Sequence, residues 1–171
     1  MKKDGIFPII SIMAIFLLAW GCAAGMGSSG RVAEGLVNYT NHGLLRIAEL
    51  EKKSLEHYAS VIGENYTTDQ RVQEALKNYV IPLYKRFLDG LRDIRPGAEE
   101  IRSVHGIYIR GAGLIYDGFK TKMLGIEMNN ENVIIQGNEK IEKGREEVKK
   151  WRLALIDLYK KYGVTEIKEK E

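Results

Sequence analysis

The sequence predicts an all-α protein, an antiparallel up-down-up-down four-helix bundle following an N-terminal signal or anchor segment. Three observations lead there. From Arg31 onward no stretch alternates apolar and polar residues in the way of a half-buried strand. Apolar residues recur instead at steps of three and four. Clusters of turn-forming residues at Gly63 to Thr68, Arg95-Pro96-Gly97 and Met128 to Asn132 then cut this region into four pieces of similar length, 31–63, 68–94, 98–128 and 131–162. A chain of 171 residues is long enough to close one core around such pieces.

The first piece has the weakest pattern, with Leu36, Leu44, Ile47, Leu55, Tyr58 and Ile62 as its apolar positions. The second opens on Thr67-Thr68-Asp69-Gln70, which reads as a capping box with Thr67 and Gln70 satisfying opposite backbone N–H groups. Its rows, Val72, Leu76, Val80, Leu83, Phe87, Leu91 and Ile94, repeat after eleven residues, and Pro82 is expected to kink it. The third carries Ile101, His105, Tyr108, Ala112, Ile115, Phe119 and Ile126. The fourth is the most regular: Ile134, Gly137, Ile141, Gly144, Val148, Trp151, Leu155, Leu158 and Tyr162. Lys160 and Lys161 suit its negative end, and Gly163 suits its stop. Helices of this length make a rod of about 45 Å.

Glycines mark the last two pieces. Gly111, Gly118 and Gly125 recur every seven residues, Gly106 and Gly113 lie one face over, and Gly137 and Gly144 sit on the seam of the fourth piece. Each costs about 0.5–1 kcal/mol against Ala in a helix. Looser packing without a role is the plain expectation; close helix–helix approach or self-association is the functional one.

The first thirty residues are of a different kind. Lys2 and Lys3 precede an uncharged, mostly apolar run from Ile6 to Trp20, and small residues follow. That is the order of a secretory signal, and the run is short of the roughly 20 residues a spanning helix needs. Cys22 is the only cysteine, so no internal disulfide forms. Leu17-Leu18-Ala19-Trp20-Gly21-Cys22 resembles a bacterial lipoprotein lipobox. Gly21 and Cys22 match that pattern; Ala19 stands where Leu is usual, and Trp20 is large for its place. The resemblance implies cleavage after Gly21 and a lipid on Cys22, two acyl chains being enough for stable anchoring. An uncleaved anchor reaching Met26 and simple secretion without Cys22 are the alternatives. The implied division is a signal peptide at 1–21, a lipidated Cys and tether at 22–30, a helical bundle at 31–163 and a charged tail at 164–171. Gly25-Met26-Gly27-Ser28-Ser29-Gly30 matches G-x-G-x-x-G, but it follows a signal rather than a strand, so a tether suits it better than a phosphate loop.

No catalytic or metal-ligand motif stands out: Glu-x-x-His, H-E-x-x-H, G-x-S-x-G and the P-loop are all missing. Cofactors and metals are therefore expected to be none; His42 with His105 is the one pair from which a haem site could be built. A net charge of +3 does not suggest nucleic acid. In the predicted topology both chain ends lie beside the anchor. The near half of the mature chain (22–46, 83–110 and 147–171) has fifteen Lys/Arg and ten Asp/Glu, hence +5; the far half (47–82 and 111–146) has nine and twelve, hence −3. Arg92, Arg95, Lys160 and Lys161 are the expected membrane-facing cations. Asn65, Tyr66, Asn129 and Asn130 form the opposite tip, where a protein partner would meet the molecule. The expected role is that of an exported envelope lipoprotein, attached to membrane lipid through Cys22, that binds or scaffolds rather than catalyses. The alternative is an extracytoplasmic ligand-binding or sensory bundle acting through a partner.

Overall fold

A computed structural model describes residues 27–164, which are almost wholly helical and contain no strand. Gly21, Cys22 and the rest of the signal segment lie outside the described residues, as do residues 165–171. Helix α1 spans residues 28–59 and α2 spans 69–93; α3 is Glu99–Glu127 and α4 is Glu131–Tyr162. The elements begin and end close to the predicted turns. Gly63 and Gly163 take positive φ, and so does Asn129, the single non-glycine residue to do so among the described residues. Asn130 caps α4 by accepting from the Val133 N–H at 3.3 Å. The cap of α2 corrects the expected capping box. Thr68, not Thr67, is the N-cap and accepts from the Arg71 N–H, while Gln70 turns away to donate to Glu74.

Cross-contacts give the helix directions. Gly90 of α2 faces Ile47 of α1, Gly43 faces Ile94, and Ser54 donates to the Val80 carbonyl at 2.8 Å, so α1 and α2 run antiparallel. Gly35 faces Ile101, while Tyr58 accepts from Lys122 at 3.0 Å, so α3 runs parallel to α1. Helices α3 and α4 form a long antiparallel hairpin.

The hairpin corrects the expectation of loose packing at its glycines. A Cβ built on Gly111 would lie 2.9 Å from the Gly144 carbonyl, and one on Gly144 would lie 2.6 Å from the Gly111 carbonyl. At Gly118 it would meet the Gly137 carbonyl at 2.8 Å, at Gly137 the Lys122 nitrogen at 2.6 Å, and at Gly125 the Ile134 nitrogen at 2.6 Å. The two backbones touch along this whole seam, so the stripe is used within the chain. Gly113 has nothing within 4 Å and takes no part.

Helices α1 and α2 each contain a wider, π-helical turn, at Tyr39–Leu44 and Leu76–Val80. The second is how the chain accommodates Pro82. Proline offers no N–H to the carbonyl four residues back. Just ahead of it the helix shifts register, and the Ile81 N–H donates to Leu76, five residues back. The extra residue brings Tyr84 into the core and leaves Leu83 half-buried. In α1 the Thr40 hydroxyl donates to the Leu36 carbonyl at 3.0 Å, competing with the backbone ladder at the start of the wide turn.

The core has two parts. Around the middle, the rings of Tyr58, Tyr84, Phe87, Tyr108 and Phe119 contact one another edge-on or tilted, at centroid distances of 4.7 to 5.8 Å. Toward the start of α1, Leu36, Tyr39, Ile101, Val104, Leu155 and Tyr159 form a second cluster.

Candidate functional site

The second cluster draws four helix ends together: the start of α1, the end of α2, the start of α3 and the end of α4. Tyr162 near the end of α4 donates to Glu100 near the start of α3 at 2.9 Å. Arg92, Arg95, Lys160 and Lys161 are all exposed on these terminal turns. The four predicted cations therefore share the end of the molecule from which residue 27 leads back toward Cys22. Lys161 lies over the Tyr162 ring, 5.0 Å from its centroid.

On the α2–α3 side of this end is a groove of about 430 Å³ lined by Arg92, Arg95, Arg102, His105, Gly106 and neighbouring apolar residues. Its arginines are held in different ways. Arg95 folds back so that Nη1 donates to the carbonyls of Arg92 and Ile94, the bare end of α2. Arg102 donates through Nη1 to the Gly97 carbonyl at 2.6 Å and to Pro96 at 3.3 Å, and through Nε and Nη2 to Glu99 at 3.0 and 2.6 Å. The Arg92 side chain makes no hydrogen bond or ion pair among the described residues. Glu99 is thus the one described carboxylate that contacts any of the three guanidiniums.

His105 joins this groove to the interior. It is only 4% exposed, and its Nδ1 shares a 3.0 Å hydrogen bond with the Tyr39 hydroxyl. Its Nε2 is buried without a partner. The carbonyls of Leu91 and Ile94 lie near enough to favour the charged ring, yet neither reaches Nε2 in hydrogen-bond geometry. Burial outweighs them and lowers the imidazole pKa, with Arg95 adding to the effect.

No protein-family model, curated protein or solved structure matches this chain. The site rests on its own geometry.

Behind His105 a line of polar groups runs through the apolar core. Thr40 and Tyr159 share a hydroxyl–hydroxyl hydrogen bond beside Tyr39. The Trp151 N–H lies near the Tyr39 hydroxyl but outside hydrogen-bond geometry, and its ring stacks on Tyr108 with centroids 3.8 Å apart. Tyr108 donates to Glu51 Oε2 at 2.7 Å. Glu51 is 6% exposed, and burial raises its carboxyl to about 7, against the opposing pull of the Tyr108 hydrogen bond. Burial likewise raises the phenol pKa values of Tyr39, Tyr84 and Tyr108, so these hydroxyls stay protonated.

The other expected site residues are placed as follows. Asn65 donates to the Ala59 carbonyl at 3.1 Å, closing the end of α1. Asn129 supplies the positive-φ turn and Asn130 the cap of α4. Tyr66 is 51% exposed and donates to Asp69 at 3.2 Å. The asparagines of the far tip thus have local backbone roles, and Tyr66 and Met128 are its large exposed side chains. His42 is exposed whereas His105 is buried against Tyr39, so the structure does not gather the proposed pair in one pocket. No group of three or more His, Cys, Asp or Glu side chains suited to a metal ion occurs among the described residues. Arg102 escaped the sequence reading because an exposed arginine on a helix carries no pattern at all, and Tyr39, Thr40, Glu51 and Ser54 because polar residues at buried positions register as gaps in an apolar pattern. The signal that could have found them is the step of three and four itself, which carries Leu36 to Tyr39 and Thr40, and Ile47 to Glu51 and Ser54.

Proposed function

We propose that this chain is an exported lipoprotein, anchored through lipid on Cys22, whose antiparallel up-down-up-down four-helix bundle acts by binding or scaffolding at an envelope membrane. The observation that carries the reading is the start of α1 at Ser28. Residues 23–27 alone would separate the body from a lipidated Cys22, and five residues span at most about 18 Å. The end of the body bearing Arg92, Arg95, Lys160 and Lys161 would then rest at the headgroups. Each well-placed cation adds about 1 kcal/mol of attraction to an anionic leaflet. Guanidinium and ammonium groups, which stay charged and donate without accepting, suit binding better than proton transfer or nucleophilic attack. The helix directions given by the cross-contacts support the bundle topology.

The test is the intact mass of the protein extracted from membranes of its native host, beside a Cys22→Ala variant. A chain beginning at Cys22 and carrying acyl mass, both lost in the variant, is expected. A full-length unacylated chain would replace the lipid anchor by an uncleaved apolar one, and a chain cleaved beyond Cys22 would remove the anchor altogether.

A further inference from the structure

We propose that the groove walled by Arg92, Arg95 and Arg102 and floored by His105 and Gly106 binds a phosphate-bearing anion. The groove stands on its own geometry; only the preference for a lipid headgroup over a soluble phosphate rests on the tethering reading above.

Three features carry the assignment. The first is uncompensated charge already in position. Arg95 and Arg102 are fixed by carbonyls of the α2 terminus and the following loop; Arg102 also commits Nε and Nη2 to Glu99, so the open fork is the Nε–Nη2 edge of Arg95, beside the unpaired guanidinium of Arg92. With Glu99 answering only Arg102, and Arg92 answering nothing, the groove holds more guanidinium than carboxylate. Forked donors of this kind fit the paired oxygens of a phosphate. The second is His105. Its Nδ1 is engaged with the Tyr39 hydroxyl, and its Nε2 makes no hydrogen bond, although the Leu91 and Ile94 carbonyls lie close by. Buried polar groups without a partner are rare, because each costs about 1–3 kcal/mol. The His105 ring lines the groove, so its resonances report on an anion bound there.

The third feature is Gly106. A Cβ built there approaches only the flexible tip of Arg110, at 3.7 Å. The glycines at 111, 118 and 125 on the same helix are filled by the α4 backbone, and Gly106 instead leaves the groove floor open. A side chain at this position would occupy the space an anion needs without touching the helix–helix seam.

The test uses the full chain in neutral maltoside micelles with 13C-labelled histidine. Imidazole C–H resonances are followed while inorganic phosphate, and separately phosphatidylglycerol, is added; His105→Gln identifies the His105 signal. A saturable shift of His105, with His57 unmoved, is expected. A response to inorganic phosphate assigns a soluble phosphate, and a response only to phosphatidylglycerol assigns a headgroup. Gly106→Leu should abolish the shift while leaving the Tm unchanged or higher. Arg92→Gln, at an exposed side chain with no contacts to lose, should weaken the response at least tenfold and serves if the leucine variant does not fold. No saturable shift with either ligand, or a shift untouched by these substitutions, overturns the proposal. The intact mass of the same preparation reports acylation independently, so failure of the groove and failure of the tether are told apart.

Discussion

The α3–α4 hairpin and the α1–α2 pair solve the same problem with opposite materials. Along α3 and α4, glycines let two regular backbones touch, and apart from His105 and the tyrosines the buried positions are apolar or have no side chain. Along α1 and α2, both helices widen into a π turn, and Thr40, Glu51 and Ser54 are buried between them and their neighbours. Dispersion and shape hold the hairpin together, and it tolerates no added atoms at its seam. The other pair carries side-chain hydrogen bonds through its interior and accepts a titratable group there. The hairpin is therefore the steric scaffold, and Glu51 of α1, like His105 of α3, is a buried group through which pH can reach the fold.

The sharpest way to break the hairpin is Gly118→Val. Its Cβ would stand 2.8 Å from both the Gly137 carbonyl and the Ile141 nitrogen, and backbone cannot step aside as a side-chain tip can. Overpacking usually costs about 1–3 kcal/mol; with backbone as the obstacle the expected loss is about 4 kcal/mol. Thermal denaturation followed by circular dichroism should show a Tm lower by on the order of 10 °C. An unchanged Tm would mean that the helices do not touch there.

The α1–α2 side is tested through Glu51. Its native carboxyl titrates at about 7, against 4.5 for the ordinary group. Below pH 4.5 the group is neutral in both states, and its protonated form favours folding fully. Between 4.5 and about 7 the native state holds the proton that the unfolded state has released. Stability therefore falls as pH rises through this window and levels off above it. A shift of this size corresponds to about 3 kcal/mol. Glu51→Gln keeps a group able to accept from Tyr108 and removes the titration. It should remove this fall, so that the variant exceeds the wild type above pH 7 and matches it near pH 4. Denaturant midpoints measured from pH 4 to 8.5 decide this, and parallel profiles for the two proteins would place the carboxylate in a better-solvated position than the structure gives it.

The same contrast accounts for what could be read in the sequence. The seven-residue period of Gly111, Gly118 and Gly125 was visible, but not its use: loose packing was the plain expectation, and the structure sets these glycines against Gly144, Gly137 and Ile134. The helix ends were visible because turn residues act locally, as at Gly163 and Asn130. The π turns were hidden, since each depends on a single competing group, Pro82 or the Thr40 hydroxyl. Yet Val72, Leu76, Val80 and Tyr84 follow one another at steps of four, an unbroken run that a regular helix of 3.6 residues per turn cannot keep on one face. The arginine groove was half legible. Arg92 and Arg95 could be assigned to the correct end by topology alone, whereas Arg102 and His105 join them only because the loop at Pro96 and Gly97 folds the start of α3 back beside the end of α2.

The smallest effect is the best control on the seam. Gly113 lies on the same helix as Gly118, two residues past Gly111, yet a Cβ there meets nothing within 4 Å. Gly113→Ala therefore adds no contact and removes only the conformational freedom that glycine keeps in the unfolded chain. It should stabilise the protein by about 0.5–1 kcal/mol, raising the Tm by a few degrees. Opposite signs for Gly113→Ala and Gly118→Val would separate helix propensity from steric approach within one helix. If Gly113→Ala destabilised instead, the helices would meet over a wider face than the glycine seam. The count of glycines in α3 would then reflect one continuous contact rather than two faces with different roles.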